Sequence, residues 1–200
     1  MTIVPTAAMT AATTPPEPPD DAVVASVLAG RTRDFELLVE RYGRRLANFI
    51  NRMIFDWDEA QSLTQDVFVQ VYENLNRYRS ENNFQAFVFT IARNLTFNWL
   101  KKRRRLVFFS HILKTDQYTA GLPREGGTAA AAEAEETTQR VTAALKMLPE
   151  EQRLALVMKV YLEFPYHRIA EITGWSEPKI ETLIFRAKKK LQGILLQEKE

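Results

Sequence analysis

Along most of the chain apolar residues recur at three- and four-residue steps, the period of a helix with one face in a core. The period begins at Ala22. DFELLVERYGRRLANFI, Asp34–Ile50, puts Phe35, Leu38, Val39, Tyr42, Leu46, Phe49 and Ile50 on one stripe. Asp34 is placed to cap this helix, and Gly43 inside the pattern reads as a point of close helix packing. The next segment, Phe55–Tyr78, opens on Asp56, Asp58 and Glu59, acids that suit a helix N-terminus. Its stripe is Ala60, Leu63, Val67, Phe68, Val71 and Leu75. The opposite side carries Gln61, Gln65, Asp66, Gln70 and Glu73, which is either a solvated face or a docking surface for a basic partner helix.

After a polar connection, Arg77–Asn83, comes the least ordinary stretch, FQAFVFTIARNLTFNWLKKRRR, Phe84–Arg105. Phe84, Phe87, Val88, Ile91, Ala92, Leu95 and Trp99 form its core-facing arc. Phe89, Phe97 and Leu100 fall outside that arc, on the side of Arg93. They either meet nucleic-acid bases or pack under the following linker. From Leu106 to Thr137 the period is lost, and Gly121, Pro123, Gly126, Gly127 and the run Ala129–Ala132 mark a linker.

Helical spacing returns with Val141, Ala144, Leu145 and Leu148. Pro149, Glu150 and Glu151 start a helix continued by Leu154, Val157, Met158 and Tyr161, and Pro165 is read as its stop. Tyr166–Thr173 is a short helix with Ile169, Ala170 and Ile172 inward, ended by Gly174. Ser176 is placed to cap the last helix, which buries Ile180, Leu183, Ile184, Ala187, Leu191, Ile194 and Leu195. Its outer face shows Lys179, Glu181, Thr182, Phe185, Arg186, Lys189 and Lys190. A short helix, a turn with glycine and a longer cationic helix make a helix-turn-helix. Phe185 either touches thymine methyls or covers a neighbouring helix.

The fold class is therefore all-α, with two small helical domains joined by a flexible linker. The expected divisions are a disordered Pro-, Thr- and Ala-rich tail (1–21), a first domain (22–105), a linker (106–137) and a helix-turn-helix domain (138–200).

Charge sharpens this picture through its distribution, because the net charge of the 200 residues is only +2. Residues 21–105 hold 14 basic against 10 acidic groups and residues 137–200 hold 11 against 8, while residues 106–136 hold 2 against 5. Two basic modules with an acidic connector suit one extended polyanion. Arg93–Arg105 holds six cations and no acid, interleaved with aromatics, the chemistry of a surface for unpaired nucleic acid. Asn82 and Asn83 in the preceding loop could contact the edge of a base swung out of its stack. The absence of cysteine excludes disulfides, thiolate catalysis and Cys-based zinc sites. His111 and His167 are the only histidines, with no HExxH and no phosphate-binding glycine loop, so an enzyme, a metal, a cofactor or a small-molecule substrate is not expected. No apolar run approaches a membrane span of about 20 residues, and no signal peptide is evident, so a cytoplasmic location is expected.

LTQDVFVQVY (Leu63–Tyr72), the IARN-containing stretch Phe84–Arg105, and LPEEQRLALVMKVYLEFPYHRIAEITGWSEPKIETLIFRAKKKL (Leu148–Leu191) together resemble the bacterial RNA polymerase sigma factors of the extracytoplasmic-function (ECF) group. The resemblance covers roughly Asp34–Arg105 and Thr138–Leu195. It implies a sigma factor that binds core RNA polymerase through its β′ and β subunits, recognises −10 and −35 promoter elements, and helps to open the DNA. On this resemblance Glu59, Gln61, Gln65, Asp66 and Gln70 are candidates for polymerase binding. Arg79, Ser80, Glu81, Asn82, Asn83 and Phe84 form the candidate −10 loop, and Arg93, Asn94, Asn98, Lys101 and Arg104 line the adjoining helix. Ser176, Lys179, Glu181, Thr182, Phe185, Arg186 and Lys189 are candidates for −35 contact. Glu181 and Leu183 stand where family members commonly carry cations, so the −35 preference of relatives does not transfer. An anti-sigma partner is implied by the family alone. From the residues themselves, a helix-turn-helix regulator acting without polymerase is the competing reading.

Overall fold

The structure, a computed structural model, describes residues 17–79, 84–113 and 139–197, with side chains up to Arg105 in the second stretch. The described residues form helices and turns, without a strand. In chain order the helices are α1 (Asp20–Leu28), α2 (Phe35–Ile54), α3 (Trp57–Glu73) and α4 (Phe84–Leu113), then α5 (residues 139–146), α6 (Glu150–Leu156), α7 (Tyr166–Thr173) and α8 (Glu177–Gln197). α6 runs on into a π-turn at Val157–Tyr161. Helix therefore starts at Asp20, ahead of the first periodic residue, and α4 continues to Leu113, past the expected start of the linker. The rest of the expected linker lies outside the described residues, as does the tail up to residue 16 and His111's side chain.

α2, α3 and α4 pack on one another through the stripes read from the sequence, except that Val39 of α2 is exposed. Leu38, Leu46, Phe49 and Ile50 of α2, Val67 and Val71 of α3, and Val88 and Ala92 of α4 have no solvent exposure. Asp56 caps α3 by accepting from the Glu59 N–H at 3.2 Å. Asp34 holds the N-cap position of α2 as read, but its side chain makes no capping bond. It belongs to a preceding 3₁₀ turn, and its carboxylate instead accepts from Ser26 Oγ and pairs with Arg31 at 3.5 Å, tying α1 to the start of α2. Gly43 is no obligatory contact point either: a Cβ there would meet Phe68 at an ordinary 3.9 Å.

α6, α7 and α8 form the second unit, with Leu154, Met158, Ile169, Ile180 and Ala187 fully buried. Pro149 is the N-cap of α6 with Glu150 and Glu151 in the first turn. Pro165 is not the stop of the preceding helix. The chain turns two residues earlier, at Glu163, which holds the left-handed φ of +58°, and Pro165 is the N-cap of α7. Gly174 ends α7 as read, with φ +72°, its N–H returning to the Ala170 carbonyl at 2.8 Å. Thr173 Oγ1 donates to the Ile169 carbonyl at 2.6 Å and accepts from the Trp175 N–H at 3.2 Å, which fixes the turn into α8.

The two units share one continuous apolar core. Its joint is Phe164, 3% exposed, whose ring meets the fully buried Phe89 of α4 edge-on at 5.1 Å. Phe89 also meets Phe49 of α2 at 5.6 Å. So Phe89 neither faces solvent nor lies under a linker; a second domain covers it. Around this joint Arg52 stacks over Tyr161 at 3.6 Å, and Arg45 lies 5.9 Å from the Phe164 ring while donating to the Leu162 carbonyl at 3.4 Å. Phe55, the left-handed C-cap of α2, is faced by Arg153 at 4.9 Å and Lys146 at 5.4 Å. Burial lowers the pKa of the Arg153 guanidinium, an effect partly offset by Glu150.

Candidate polymerase and nucleic-acid interfaces

α3 buries one half of its circumference and exposes the other. Ala60, Leu63, Val67, Phe68 and Val71 face inward with Thr64, whose hydroxyl is satisfied by the Ala60 carbonyl at 2.6 Å. The outward half presents Glu59, Gln61, Gln65, Asp66 and Gln70, all exposed. Val69 and Tyr72, 55% and 46% exposed, lie among them. Sequence reasoning passed over these two, although both fall outside the buried stripe, which was the available signal. An acidic and amide surface with an apolar ridge can hydrogen-bond and desolvate a basic helix. Glu59 also accepts from Trp99 Nε1 at 3.1 Å, which joins this face to α4.

The expected −10 residues divide into three groups. Ser80, Glu81, Asn82 and Asn83 lie outside the described residues. Phe84 is 1% exposed, so it does not present its ring to a base. It is held edge-on between Tyr78 at 5.4 Å and Tyr42 at 5.7 Å, as expected for a large apolar ring at the start of a buried helix stripe. The remainder form a surface. Arg79, Asn94, Asn98, Lys101 and Arg104 are exposed, and Arg93 is half-buried. Arg93 donates to Asn94 Oδ1 at 3.0 Å and lies over the half-buried Phe97 at 5.8 Å, while its Nε is buried without a hydrogen-bond partner. On a different side of the helix, Arg103 covers Trp99 at 4.9 Å. The Arg93 and Phe97 pair thus lies on the side of α4 that also carries Asn94, Lys101 and Arg104, with Lys102 and Arg105 exposed at the helix end. Phosphates and unstacked bases are the ligands such a side can hold.

On α8 the cationic face stands clear as the sequence predicts. Ser176, Lys179, Glu181, Thr182, Arg186 and Lys189 are exposed, and Phe185 is 65% exposed, so it covers no neighbouring helix. Leu183 is buried, which removes it from any groove-facing set. Lys179 lies over Trp175 at 4.4 Å and pairs with Glu151 at 3.3 Å. Thr182 Oγ1 donates to the Pro178 carbonyl at 2.9 Å. Glu150, beside Glu151, pairs with Arg104 of α4 at 3.2 Å. Among the described residues no group of His, Cys, Asp or Glu could hold a metal ion, and no helix is long and apolar enough to cross a membrane.

Two family models match the stretches that carry these faces. Sigma-70 region 2 matches residues 38–106, spanning α2 to the basic end of α4, and Sigma-70 region 4 matches residues 138–191, spanning the helix-turn-helix. The chain belongs to the sigma-70 family of RNA polymerase sigma factors. Relatives of this sigma factor include the RNA polymerase sigma-H factor of Pseudomonas aeruginosa, 28% identical over 180 residues (88% of this chain, 93% of the relative). The sigma factor YlaC of Bacillus subtilis is 26% identical, covering 82% of this chain and 94% of the relative. The ECF sigma-E factor of Escherichia coli is 26% identical, covering 87% and 93%. Among solved structures, the sigma factor RpoE of Bartonella quintana, determined with the anti-sigma factor NepR, matches at a TM-score of 0.65 and 25% identity, covering 82% of this chain and 97% of that one. The fold of CnrH, solved with the cytosolic domain of CnrY, matches at a TM-score of 0.66 and 23% identity, covering 89% and 97%. The protein is thus an ECF-type sigma factor, an initiation factor for transcription, and the regulator acting without polymerase finds no support in these likenesses.

Proposed function

We propose that this sigma factor docks on the core polymerase through the exposed half of α3, reads the −10 element with residues 79–83 and the cationic side of α4, and reads the −35 element with α8. The observation that carries this is the pairing of two separate exposed cationic faces, on α4 and α8, with an acidic and amide face on α3. The docking set is Glu59, Gln61, Gln65, Asp66 and Gln70, extended by Val69 and Tyr72. The −10 set is Arg79–Asn83 with Arg93, Asn94, Asn98, Lys101 and Arg104, and the −35 set is Ser176, Lys179, Glu181, Thr182, Phe185, Arg186 and Lys189. Residues 22–105 are then the docking and −10 domain, 106–137 the linker and 138–200 the −35 domain.

The mechanism is binding, without bond chemistry, cofactor or small-molecule substrate. Opening a duplex loses stacking of about 1.4 kcal/mol per step. Holding unpaired bases against aromatic or guanidinium planes returns roughly 1–3 kcal/mol each. Two or three captured bases therefore offset a short bubble once polymerase holds both strands. With Phe84 and Phe89 buried, the planes left for this task on the side of the −10 set are Phe97 and the Arg93 guanidinium over it. An exposed Glu181 can accept from a cytosine N4, and Phe185 can meet a thymine methyl. The anti-sigma complex of the Bartonella quintana relative supports an anti-sigma partner for this chain too. All of these tasks belong in the cytoplasm.

Run-off transcription of total genomic DNA with bacterial core polymerase tests the proposal. Addition of the protein should yield a defined set of starts sharing −10 and −35 sequences, whereas the protein alone should shift promoter duplex weakly at physiological salt. No stimulation on any genomic template would refute it.

A further inference from the structure

Where Arg104 of α4 meets Glu150 at the start of α6, a cleft of about 710 Å³ opens between the two units. Small-molecule sites have volumes of about 300–1,000 Å³. Arg104 of α4, Lys146 of α5, Arg153 of α6 and Arg186 of α8 all line it, so the cations come from four separate helices. Glu150 and Glu151 line it too, but both are engaged, Glu150 by Arg104 at 3.2 Å and Glu151 by Lys179 at 3.3 Å. Among the described residues no carboxylate is in ion-pair contact with Lys146, Arg153 or Arg186.

Arg153 is the unusual member, because it is only 5% exposed. Its Nη1 donates to the Leu145 carbonyl at a long 3.4 Å, its guanidinium faces the Phe55 ring at 4.9 Å, and its Nε is buried without a hydrogen-bond partner. Burial lowers its pKa, and the charge of Glu150 offsets only part of that. Covering Phe55 explains a side chain at this place but not a charge, since an aliphatic residue would cover the ring without the desolvation. A buried cation so poor in acceptors is costly, and an anion that reaches it through the cleft relieves that cost. We propose that this cleft binds a compact polyphosphate anion, as free diphosphate or as the phosphate tail of a nucleotide, held by Arg104, Lys146, Arg153 and Arg186. Guanidinium forks match phosphate oxygens in pairs, and the space is larger than a single phosphate fills. The two acids disfavour DNA here. A duplex carries one charge per about 1.7 Å, so its backbone would set phosphates against Glu150 and Glu151, whereas a compact anion seats among the cations alone. Because Arg104 belongs to the first unit and the other cations to the second, the bound anion also ties the units together.

Calorimetric titration of the full chain with inorganic pyrophosphate, at an ionic strength fixed with sodium chloride, tests this. One equivalent should bind per chain, and saturation should raise the melting temperature. Inorganic phosphate, with fewer oxygens to share among the cations, should bind about tenfold more weakly. Arg186→Ala and Lys146→Ala, both at exposed positions, should each weaken pyrophosphate binding about three- to tenfold while melting close to the parent in its absence. Arg153→Gln should weaken it most; should that buried variant fail to fold, the two exposed variants carry the test. Lys190→Ala, exposed on α8 outside the cleft, should bind as the parent does. ADP in place of pyrophosphate separates the sources: tighter binding assigns the site to a nucleotide, equal or weaker binding to free diphosphate. Absence of saturable binding would overturn the proposal. So would a loss in Lys190→Ala equal to those in Lys146→Ala and Arg186→Ala, which would make the binding a general response to surface cations.

Discussion

Phe89 separates two accounts of α4, and its removal decides between them. Its side chain is fully buried, 5.6 Å from Phe49 and 5.1 Å from Phe164, both edge-on. Truncating such a ring to alanine costs about 3–5 kcal/mol, the lost transfer energy plus a cavity that rigid neighbours do not fill. At about 2–4 °C per kcal/mol for a chain of this size, Phe89→Ala should melt roughly 6–20 °C below the parent in a circular dichroism or calorimetric scan. Phe89→Leu, which keeps most of the volume, should lose at most about 1.5 kcal/mol and remain folded for binding assays. Because Phe164 supplies one of the two edge contacts, the double variant with Phe164→Ala should fall short of additivity by about 0.5–1.5 kcal/mol. Phe97→Ala is the control. That ring is half-buried under Arg93, so its loss should cost about 1 kcal/mol of stability while lowering affinity for an unpaired −10 strand. A Phe89→Ala protein that melts within about 2 °C of the parent yet loses strand binding tenfold would refute the burial argument. It would return Phe89 to the nucleic-acid surface.

Replacing Lys101–Arg105 with alanine should weaken promoter binding by holoenzyme and flatten its salt dependence, by about 0.9 in logarithmic slope for each duplex phosphate no longer neutralised. Core affinity should not change, and an equal loss of it would contradict the division between α3 and α4. Phe185→Ala should shift stability by less than about 0.5 kcal/mol, as expected for a surface ring, while reducing binding to templates that carry the −35 element. A clear drop in melting temperature would instead mean that the ring covers structure. Tyr42 predicts an alkaline signature. Burial and its bond to Asp20 hold its folded pKa above the ordinary value of 10.0, so its contribution is complete below that pH and is lost as pH rises further, where the unfolded phenol ionises first. The ultraviolet difference spectrum between the parent and Tyr42→Phe should show that phenol ionising only as the chain unfolds; ionisation of Tyr42 in the folded protein near pH 10 would disprove it.

The helices were legible because one stripe per helix defines both the buried and the exposed side. That is why the outward residues of α3 and α8 came out on the surface as read, Phe185 included. α4 was harder for a physical reason. It is buried on one side by α2 and α3 and on another by Phe164, so its apolar residues fill more than one arc. Periodicity cannot tell an arc covered by a second domain from one awaiting bases, and Phe89 fell into that gap. Local signals misled where two compete. Asp34 has the chemistry of a cap, but the 3₁₀ turn before α2 gives its carboxylate to Ser26. The left-handed turn at Glu163 lacks the glycine that would have announced it, so Pro165 took the credit for ending the helix. The bond between Asp21 and Tyr78 spans 57 residues, and no spacing rule links positions so far apart.

One arrangement was visible only in three dimensions, and magnitudes decide what it means. Glu150 and Glu151, neighbours in the first turn of α6, each pair with a cation from a different helix, Arg104 of α4 and Lys179 of α8, both proposed to face DNA. A carboxylate beside a phosphate-seeking cation looks at first like a competitor for DNA. Both pairs, however, are largely open to solvent on the cationic side, with Arg104 68% and Lys179 43% exposed. Such pairs contribute about 0–1 kcal/mol and are screened by salt. A phosphate contact that releases condensed counterions outweighs them at ordinary ionic strength. The acids of α6 therefore would not withhold Arg104 and Lys179 from the DNA that the proposed function assigns to them. Removing either acid should alter promoter affinity far less than removing the cation it faces.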